Sequence, residues 1–281
     1  MSRIIWSTDT HLNFLKFPNG AMAFGEYLRK EQPADALVIT GDISEGLEVE
    51  HHIKEVQKGF EKPVYFVLGN HDYYRSSFAE IDRKMASVPG WLTKAGVVEI
   101  AEGVALVGNE GWYDGEFGYP YARFGMADWS LISELKSYIS RDDLLAKIRA
   151  RATAAVSAAC DVLEEAVSKY QLVLFATHVP PFRESAWHEG QISNDTYLPW
   201  FSSKRMGDML MQVAEANPTK RILVLCGHSH SFGTYDAAPN LKVLTGKAIY
   251  GAPDLAGILE IQGGKINVSM RDNSWLDIGV F

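Results

Sequence analysis

Short apolar runs rich in β-branched residues, each bounded by glycine or a polar turn, occur at 3–7, 36–40, 64–68, 104–107, 172–176, 222–225 and 241–244. Runs of this kind read as buried strands. Segments with helical spacing at 22–30 and 49–60 separate the early ones, which predicts β-α-β units and a partly parallel sheet. Later the pattern changes. Residues 97–100 and 104–107 flank a turn at Glu102-Gly103, and residues 257–261 and 265–270 flank Gly263-Gly264, so both pairs predict hairpins. A mixed sheet, or two sheets packed face to face with helices outside, satisfies this pattern better than a purely parallel one.

The longest helical signal, about 142–169, repeats Leu145, Ile148, Ala152, Val156, Ala159, Leu163 and Val167 at steps of three or four, a packing stripe. Two stretches lack periodicity: 110–125, rich in glycine and aromatics, and 183–202, which contains Trp187, His188, Tyr197 and Trp200. Loops of this length are functional or disordered as a rule, and aromatic content argues for order. Without an internal repeat, low-complexity tract or linker, the expectation is a single domain over 1–281, with insertion loops near 110–127 and 183–202 and a helical segment near 128–169.

Composition narrows the functional classes. With 47% hydrophobic and 22% charged residues the chain has the makeup of a globular protein with a large core, and a formal net charge of -8 argues against broad attraction to nucleic acid or anionic membrane. No apolar run approaches the roughly 20 residues that span a bilayer. Met1-Ser2-Arg3-Ile4-Ile5-Trp6 leads straight into the first strand without the features of a signal peptide, so a cytoplasmic location is expected. Cys160 and Cys226 have no paired-ligand spacing and read as buried, reduced thiols.

The chemistry lies in where polar residues fall. Asp9 and His11 follow the first strand, Gly41-Asp42-Ile43-Ser44-Glu45 the second and Gly69-Asn70-His71-Asp72 the third. Thr177-His178-Val179-Pro180-Pro181 and Gly227-His228-Ser229-His230 follow two later ones. Strand ends of open α/β sheets are where ligands bind. Of the chain's 8 histidines, His11, His71, His178, His228 and His230 sit in these turns. Neutral imidazoles, charge-neutralising carboxylates and fixed amide oxygens on rigid supports are what a catalytic metal pair requires. Cysteine is absent from every cluster, which disfavours a thiolate zinc site. The mixture suits manganese, iron, zinc, cobalt or nickel.

In that order, Asp9-x-His11, Gly41-Asp42-x-x-Glu45, Gly69-Asn70-His71-Asp72, His178 and Gly227-His228-x-His230 resemble the calcineurin-like metallophosphoesterase superfamily. The resemblance implies an α/β fold, a four-layer α/β/β/α sandwich of two mixed sheets with flanking helices, and a centre of two divalent or trivalent metal ions. One ion would be held by Asp9, His11, Asp42 and His230, the other by Asp42, Asn70, His178 and His228. It further implies phosphoester hydrolysis by direct attack of a metal-bound hydroxide. His71 would contact phosphate and protonate the leaving group, with Asp72 holding its imidazole.

Other residues carry competing readings. Glu45 either supports the site or caps the next helix. His51 and His52, among Glu48, Glu50 and Lys54, read as a solvated helix face. Arg183, Tyr113 and His188 are candidate substrate contacts, and Asp114 and Arg123 share their ambiguity. Trp112, Tyr113, Tyr119 and Tyr121 would either stack on a nucleobase or pack internally. The expected partner is a phosphorylated small molecule or nucleotide rather than a nucleic acid strand. The alternative is a binding or scaffold protein with a non-catalytic metal site, while a serine hydrolase is disfavoured because no strand precedes Gly-x-Ser-x-Gly.

Overall fold

The computed structural model describes residues 1–272 and 274–281, with side chains described over 1–271 and at 281. Its strands are β1 (Ser2–Ser7), β2 (Ala36–Thr40), β3 (Val64–Val67), β4 (Val98–Ala101), β5 (Val104–Gly108), β6 (Leu172–Ala176), β7 (Trp187–His188), β8 (Gln191–Ile192), β9 (Arg221–Cys226), β10 (Gly233–Ala238), β11 (Leu241–Thr245), β12 (Leu255–Gln262), β13 (Lys265–Asp272) and β14 (Ser274–Val280). The helices are α1 (Gly20–Glu31), α2 (Val49–Phe60), α3 (Phe78–Met85), α4 (Leu92–Ala95), α5 (Asp128–Leu131), α6 (Ser133–Lys136), α7 (Arg141–Lys169), α8 (Leu198–Phe201) and α9 (Lys204–Ala216).

Among the described residues two six-stranded sheets form, ordered β14-β13-β12-β1-β2-β3 and β10-β11-β9-β6-β5-β4. In the first, parallel β1-β2-β3 form one half, with β3 at the edge, and antiparallel β12, β13 and β14 the other; in the second, parallel β5-β6-β9-β11 are flanked by antiparallel β4 and β10. Side chains alternate across a strand, so each strand serves two layers. Ile5, Leu37 and Ile39 pack outward on Phe24 and Leu28 of α1 and Ile53 and Val56 of α2. Their neighbours Ile4, Trp6 and Val38 turn inward to meet Leu106, Leu174, Leu223 and Leu225 of the facing sheet. Val107, Phe175 and Val224 pack on Leu163 of α7 and Leu210 of α9. The result is the four-layer α/β/β/α sandwich.

The helix stops and starts follow local chemistry. Ser140 caps α7 by accepting the Asp143 N–H at 3.1 Å, and Asp142 and Asp143 lie at the positive end of the helix. The segment 128–169 is three helices rather than one, with breaks at Ile132 and 137–140. Strand α-helical order around 183–202 is also richer than a loop: it holds β7, β8 and α8, and both Ala186 and Trp200 are fully buried. Unforeseen α9 buries Met206, Met209, Leu210 and Val213, a helical stripe present in the sequence. Its neighbour β10 is a half-polar edge strand whose composition gives little strand signal. Cys226 is buried as expected, whereas Cys160 is half-buried because it lies beside the packed face of α7. No helix among the described residues is long and apolar enough to cross a membrane.

Leu174 is fully buried in the layer between the sheets. Leu174→Ala is expected to lower the unfolding free energy by about 2–5 kcal/mol, as a cavity in close-packed core does, measured by urea denaturation.

Candidate metal centre

The parallel strands β1, β2, β6 and β9 end on one rim, and their following turns are laced together across both sheets. Asp9 N–H donates to the Gly41 carbonyl at 3.0 Å, His11 N–H to the Asp42 carbonyl at 2.9 Å, and Gly227 N–H to the His178 carbonyl at 2.9 Å. His228 N–H donates to the Asp9 carboxylate at 3.0 Å, and His71 N–H donates to Asp42 Oδ1 at 2.8 Å. Asp9, His11, Asp42, His228 and His230 all have positive φ, between 41° and 68°. Two glycines permit the crowding. A Cβ on Gly69 would lie 2.2 Å from Asp42 Oδ1, and one on Gly227 would lie 2.1 Å from Asp9 Oδ2.

Two groups of ligand atoms gather here. One atom from each of Asp9, His11, Asp42 and His230 lies within 4.8 Å of the others, as do atoms from Asp42, His178 and His228, with Asp42 common to both. Asn70 adds an oxygen to the second group, its Oδ1 being 3.0 Å from His178 Nε2.

Hydrogen bonds behind the site decide what these atoms present. His178 Nδ1 is 2.9 Å from the Thr40 carbonyl and His228 Nε2 is 2.9 Å from the Trp200 carbonyl. A carbonyl accepts, so both ring nitrogens donate, leaving lone pairs on His178 Nε2 and His228 Nδ1. These face each other at 3.2 Å. The Asn70 amide is fixed in the same sense, because its Nδ2 donates to Asp128 Oδ1 at 3.0 Å and to the Tyr74 hydroxyl at 3.1 Å. Three lone-pair donors beside the Asp42 carboxylate repel one another unless a cation lies among them. In the first group, His11 Nε2 and His230 Nε2 stand 3.3 Å apart, and His230 Nε2 is 3.3 Å from Asp9 Oδ1.

Electrostatics agree with this chemistry. Burial, reinforced by neighbouring imidazoles, drives His11 down to about 3 and His228 down to about 4, and burial also lowers His178. Neutral imidazoles are the form that ligates metals. Burial raises Asp9, but attraction to His230 and a hydrogen bond with it outweigh that and hold the carboxyl well below its usual range. Burial, then repulsion from Asp9 and Asp72, pushes Asp42 well up. The carboxylates exceed the positive charge their neighbours supply, and with oxygen and nitrogen donors only, the set fits a pair of cations of borderline hardness.

Other expectations need correction. Asp72 does not orient His71; buried, it accepts backbone N–H bonds from Gly69 at 2.8 Å, Ser44 at 2.8 Å and Ile43 at 3.2 Å, binding two site turns together. Burial raises its pKa to about 7 despite those bonds. Glu45 pairs with Arg75 and makes no cap, its Oε1 standing 4.0 Å from His71 Nδ1, beyond hydrogen-bond reach. Tyr113 is no substrate contact: fully buried, it donates to Asp128 Oδ2 at 2.8 Å and stacks behind His228. Arg183 pairs with Asp195 at 2.9 Å and does not line the site cavity. Asp114 is buried and accepts the Arg205 and Glu116 N–H groups, and Trp112 is packed in the core, whereas Tyr119 and Tyr121 are exposed. His52 is half-buried on Ser44 Oγ at 2.6 Å rather than solvated, while His51 is exposed.

His188 does reach the site. With Asp42, Asn70, His71, His228 and His230 it lines a cavity of about 340 Å³ whose walls include Tyr74, Met126, Phe201 and Tyr250. Asp128, Tyr74, Tyr250 and the Thr40 and Trp200 carbonyls were not legible as site components. Carbonyls leave no mark in sequence, and Asp128 lies 58 positions from the amide it holds.

The family model described as calcineurin-like phosphoesterase matches residues 2–232. Comparison with curated proteins finds no match. Among solved structures, a dimetal phosphatase from Danio rerio is similar over 99% of this chain and 98% of its own, at 13% identity and a TM-score of 0.64. The phosphopantetheinyl hydrolase of Mycobacterium tuberculosis is similar over 88% of this chain and 89% of its own, at 17% identity and a TM-score of 0.59. A purple acid phosphatase from yellow lupin seeds (Lupinus luteus) aligns with 100% of this chain and 53% of its own, at 10% identity and a TM-score of 0.52. At such identities the structural likeness is one of fold.

Asp128 carries no ligand atom of either group yet sets which end of Asn70 faces the site. Asp128→Ala is expected to weaken metal affinity by about 10–100-fold, the usual effect of losing a support behind a ligand, with far-UV circular dichroism unchanged; calorimetric metal titration checks it.

Proposed function

Because the chain belongs to the calcineurin-like phosphoesterase family, metal-dependent enzymes that cleave phosphoesters, we propose that it hydrolyses the phosphoester of a small molecule or nucleotide at a two-cation centre. Asp9, His11, Asp42 and His230 would hold one cation, and Asp42, Asn70, His178 and His228 would hold the other. The observation that carries this reading is the set of facing lone pairs on His178 Nε2, His228 Nδ1 and Asn70 Oδ1, fixed from behind by groups that accept their protons. When bound, the cations supply the charge that polarises the phosphoryl group and makes water nucleophilic.

The chain's own residues do the rest. Water oxygen bonds to phosphorus as the bond to the leaving alcohol breaks, and the alcohol oxygen takes a proton. His71 is placed to manage that proton. Its Nε2 faces the ligands, 3.9 Å from Asp42 Oδ2, and its Nδ1 faces Glu45. Burial, then repulsion from His11 and other imidazoles, lowers it to about 2, so the ring is neutral at physiological pH, and its single N–H hydrogen-bonds the leaving oxygen while that oxygen takes the proton released by the attacking water. His188, on β7, contacts substrate from the far wall. The cavity's dimensions favour a small substrate over a polymer, and the free thiols Cys160 and Cys226 accord with a reducing compartment such as the cytoplasm.

Two substitutions separate binding from turnover. Asp42→Asn is expected to lower the content of both metals and with it the activity. His71→Ala is expected to retain metal and lower kcat by about 100–10,000-fold, the range for loss of a proton donor. Elemental analysis and hydrolysis of aryl phosphomonoesters and diesters read the two effects. Metal-loaded protein that cleaves none of these esters would refute the proposal.

A further inference from the structure

The walls of the site cavity carry information that its floor of ligands does not. No lysine or arginine is among the described residues lining it. Arg75, in the neighbouring recess beyond Tyr74, is paired with Glu45. Arg271 and Lys247 line an adjoining cavity that Asp9 also lines, and there Arg271 is paired with Asp254. A substrate's reacting phosphoryl group would have the ligand-held cations to meet it. Any second phosphate would be moved out of water with no cationic side chain to receive it, which costs affinity.

Tyr250 offers the opposite kind of surface. Its ring lies 4.3 Å from that of His11 and 4.8 Å from that of His230, with Phe14 edge-on at 5.3 Å. It is nevertheless 49% exposed, so one part of the ring rests on the ligand imidazoles while another part meets solvent. The loop that carries it is pinned to the site by the Ala248 N–H to His230 carbonyl bond at 3.3 Å and closed by Ala252 N–H to Ile249 carbonyl at 3.1 Å. Across the cavity are Met126 and Phe201, and the Tyr74 ring lies 4.2 Å from that of His71. A half-exposed aromatic ring beside the reacting centre is a platform for another planar apolar group.

We propose that the site selects phosphoesters whose leaving group is uncharged and apolar, an aromatic ring above all, with the Tyr250 ring as the wall it packs against, and discriminates against substrates with a second phosphate. This rests on the phosphoesterase reading above and narrows its substrate class.

The test uses metal-loaded full-length protein and four substrates: benzyl phosphate, glycerol 2-phosphate, a nucleoside 5′-monophosphate and the matching nucleoside 3′,5′-bisphosphate, whose reacting groups are all phosphomonoesters. Benzyl alcohol and glycerol are comparably poor leaving groups, so their ratio reads recognition rather than chemical reactivity. The expected kcat/KM for benzyl phosphate exceeds that for glycerol 2-phosphate about tenfold, and the monophosphate exceeds the bisphosphate by a similar factor. In Tyr250→Ala the benzyl-to-glycerol ratio falls about 3–10-fold, the scale of one lost aromatic contact, whereas Tyr250→Phe keeps it. A ratio within one protein is independent of how much of it is folded or metal-loaded. Hydrolysis with a preference for the bisphosphate, an unchanged ratio in Tyr250→Ala, or an equal loss in Tyr250→Phe overturns this inference and leaves the phosphoesterase reading standing. Failure to hydrolyse any ester, activated aryl phosphates included, overturns both.

Discussion

Bare lone pairs cannot hydrogen-bond to one another, and that constraint governs the rim where the two sheets end. His178 and His228 each spend their ring proton on a backbone carbonyl, Thr40 from one sheet and Trp200 from the 183–202 segment, and so turn unprotonated nitrogens toward each other. Asn70 does the same with an oxygen because Asp128 takes its amide protons. Such an arrangement is repulsive by itself and is relieved by a cation. The same bonds are structural ties: His178 to Thr40 and His228 to Asp9 each join one sheet to the other. Cations shared by these residues would therefore clamp the two halves of the sandwich as well as serve chemistry.

The backbone of these turns is itself strained. Asp9, His11, Asp42, His228 and His230 are non-glycine residues in left-handed conformation, each costing on the order of 1–2 kcal/mol relative to ordinary backbone. The turns hold because they are over-determined. Asp72 ties the Gly41–Glu45 turn to the Gly69–Asp72 turn through backbone donors on both, and the His71 N–H bond to Asp42 Oδ1 ties them again. Strain of this kind belongs where preorganisation is needed, since ligands that are already aimed lose little freedom when they bind.

Much of this was readable from residue order. Buried strands announce themselves by apolar runs, and the ligand turns by polar clusters directly after them, so the sandwich and the histidine-rich rim follow from pattern. What escaped is of three physical kinds. Backbone carbonyls such as those of Thr40 and Trp200 act without regard to side-chain identity. Long-range supports such as Asp128 become neighbours of Asn70 only after folding. Exposure also depends on the fold: Tyr113, in an aromatic loop that looked available to substrate, is enclosed behind His228, while Tyr250, in a stretch with no chemical signal, stands at the mouth. Asp72 misled by adjacency, because a short helical turn sends successive side chains in different directions and the carboxylate beside the His71 ring is that of Glu45, from another loop.

The two long segments between strands have a double task that ties specificity to ligand geometry. The 110–131 stretch supplies Met126 to the cavity wall and, two residues later, the Asp128 carboxylate that fixes Asn70. The 183–202 stretch supplies His188 and Phe201 to the wall and the Trp200 carbonyl that fixes His228. A change that reshapes either wall therefore acts within a residue or two of a group that orients a ligand. Altering substrate choice through these segments would disturb ligand geometry, whereas the Tyr250 loop contacts His11 and His230 by ring stacking and one backbone bond and leaves their ligand nitrogens alone. That loop is thus tied to the centre more lightly than the two long segments, while its ring still packs on the imidazoles beneath it.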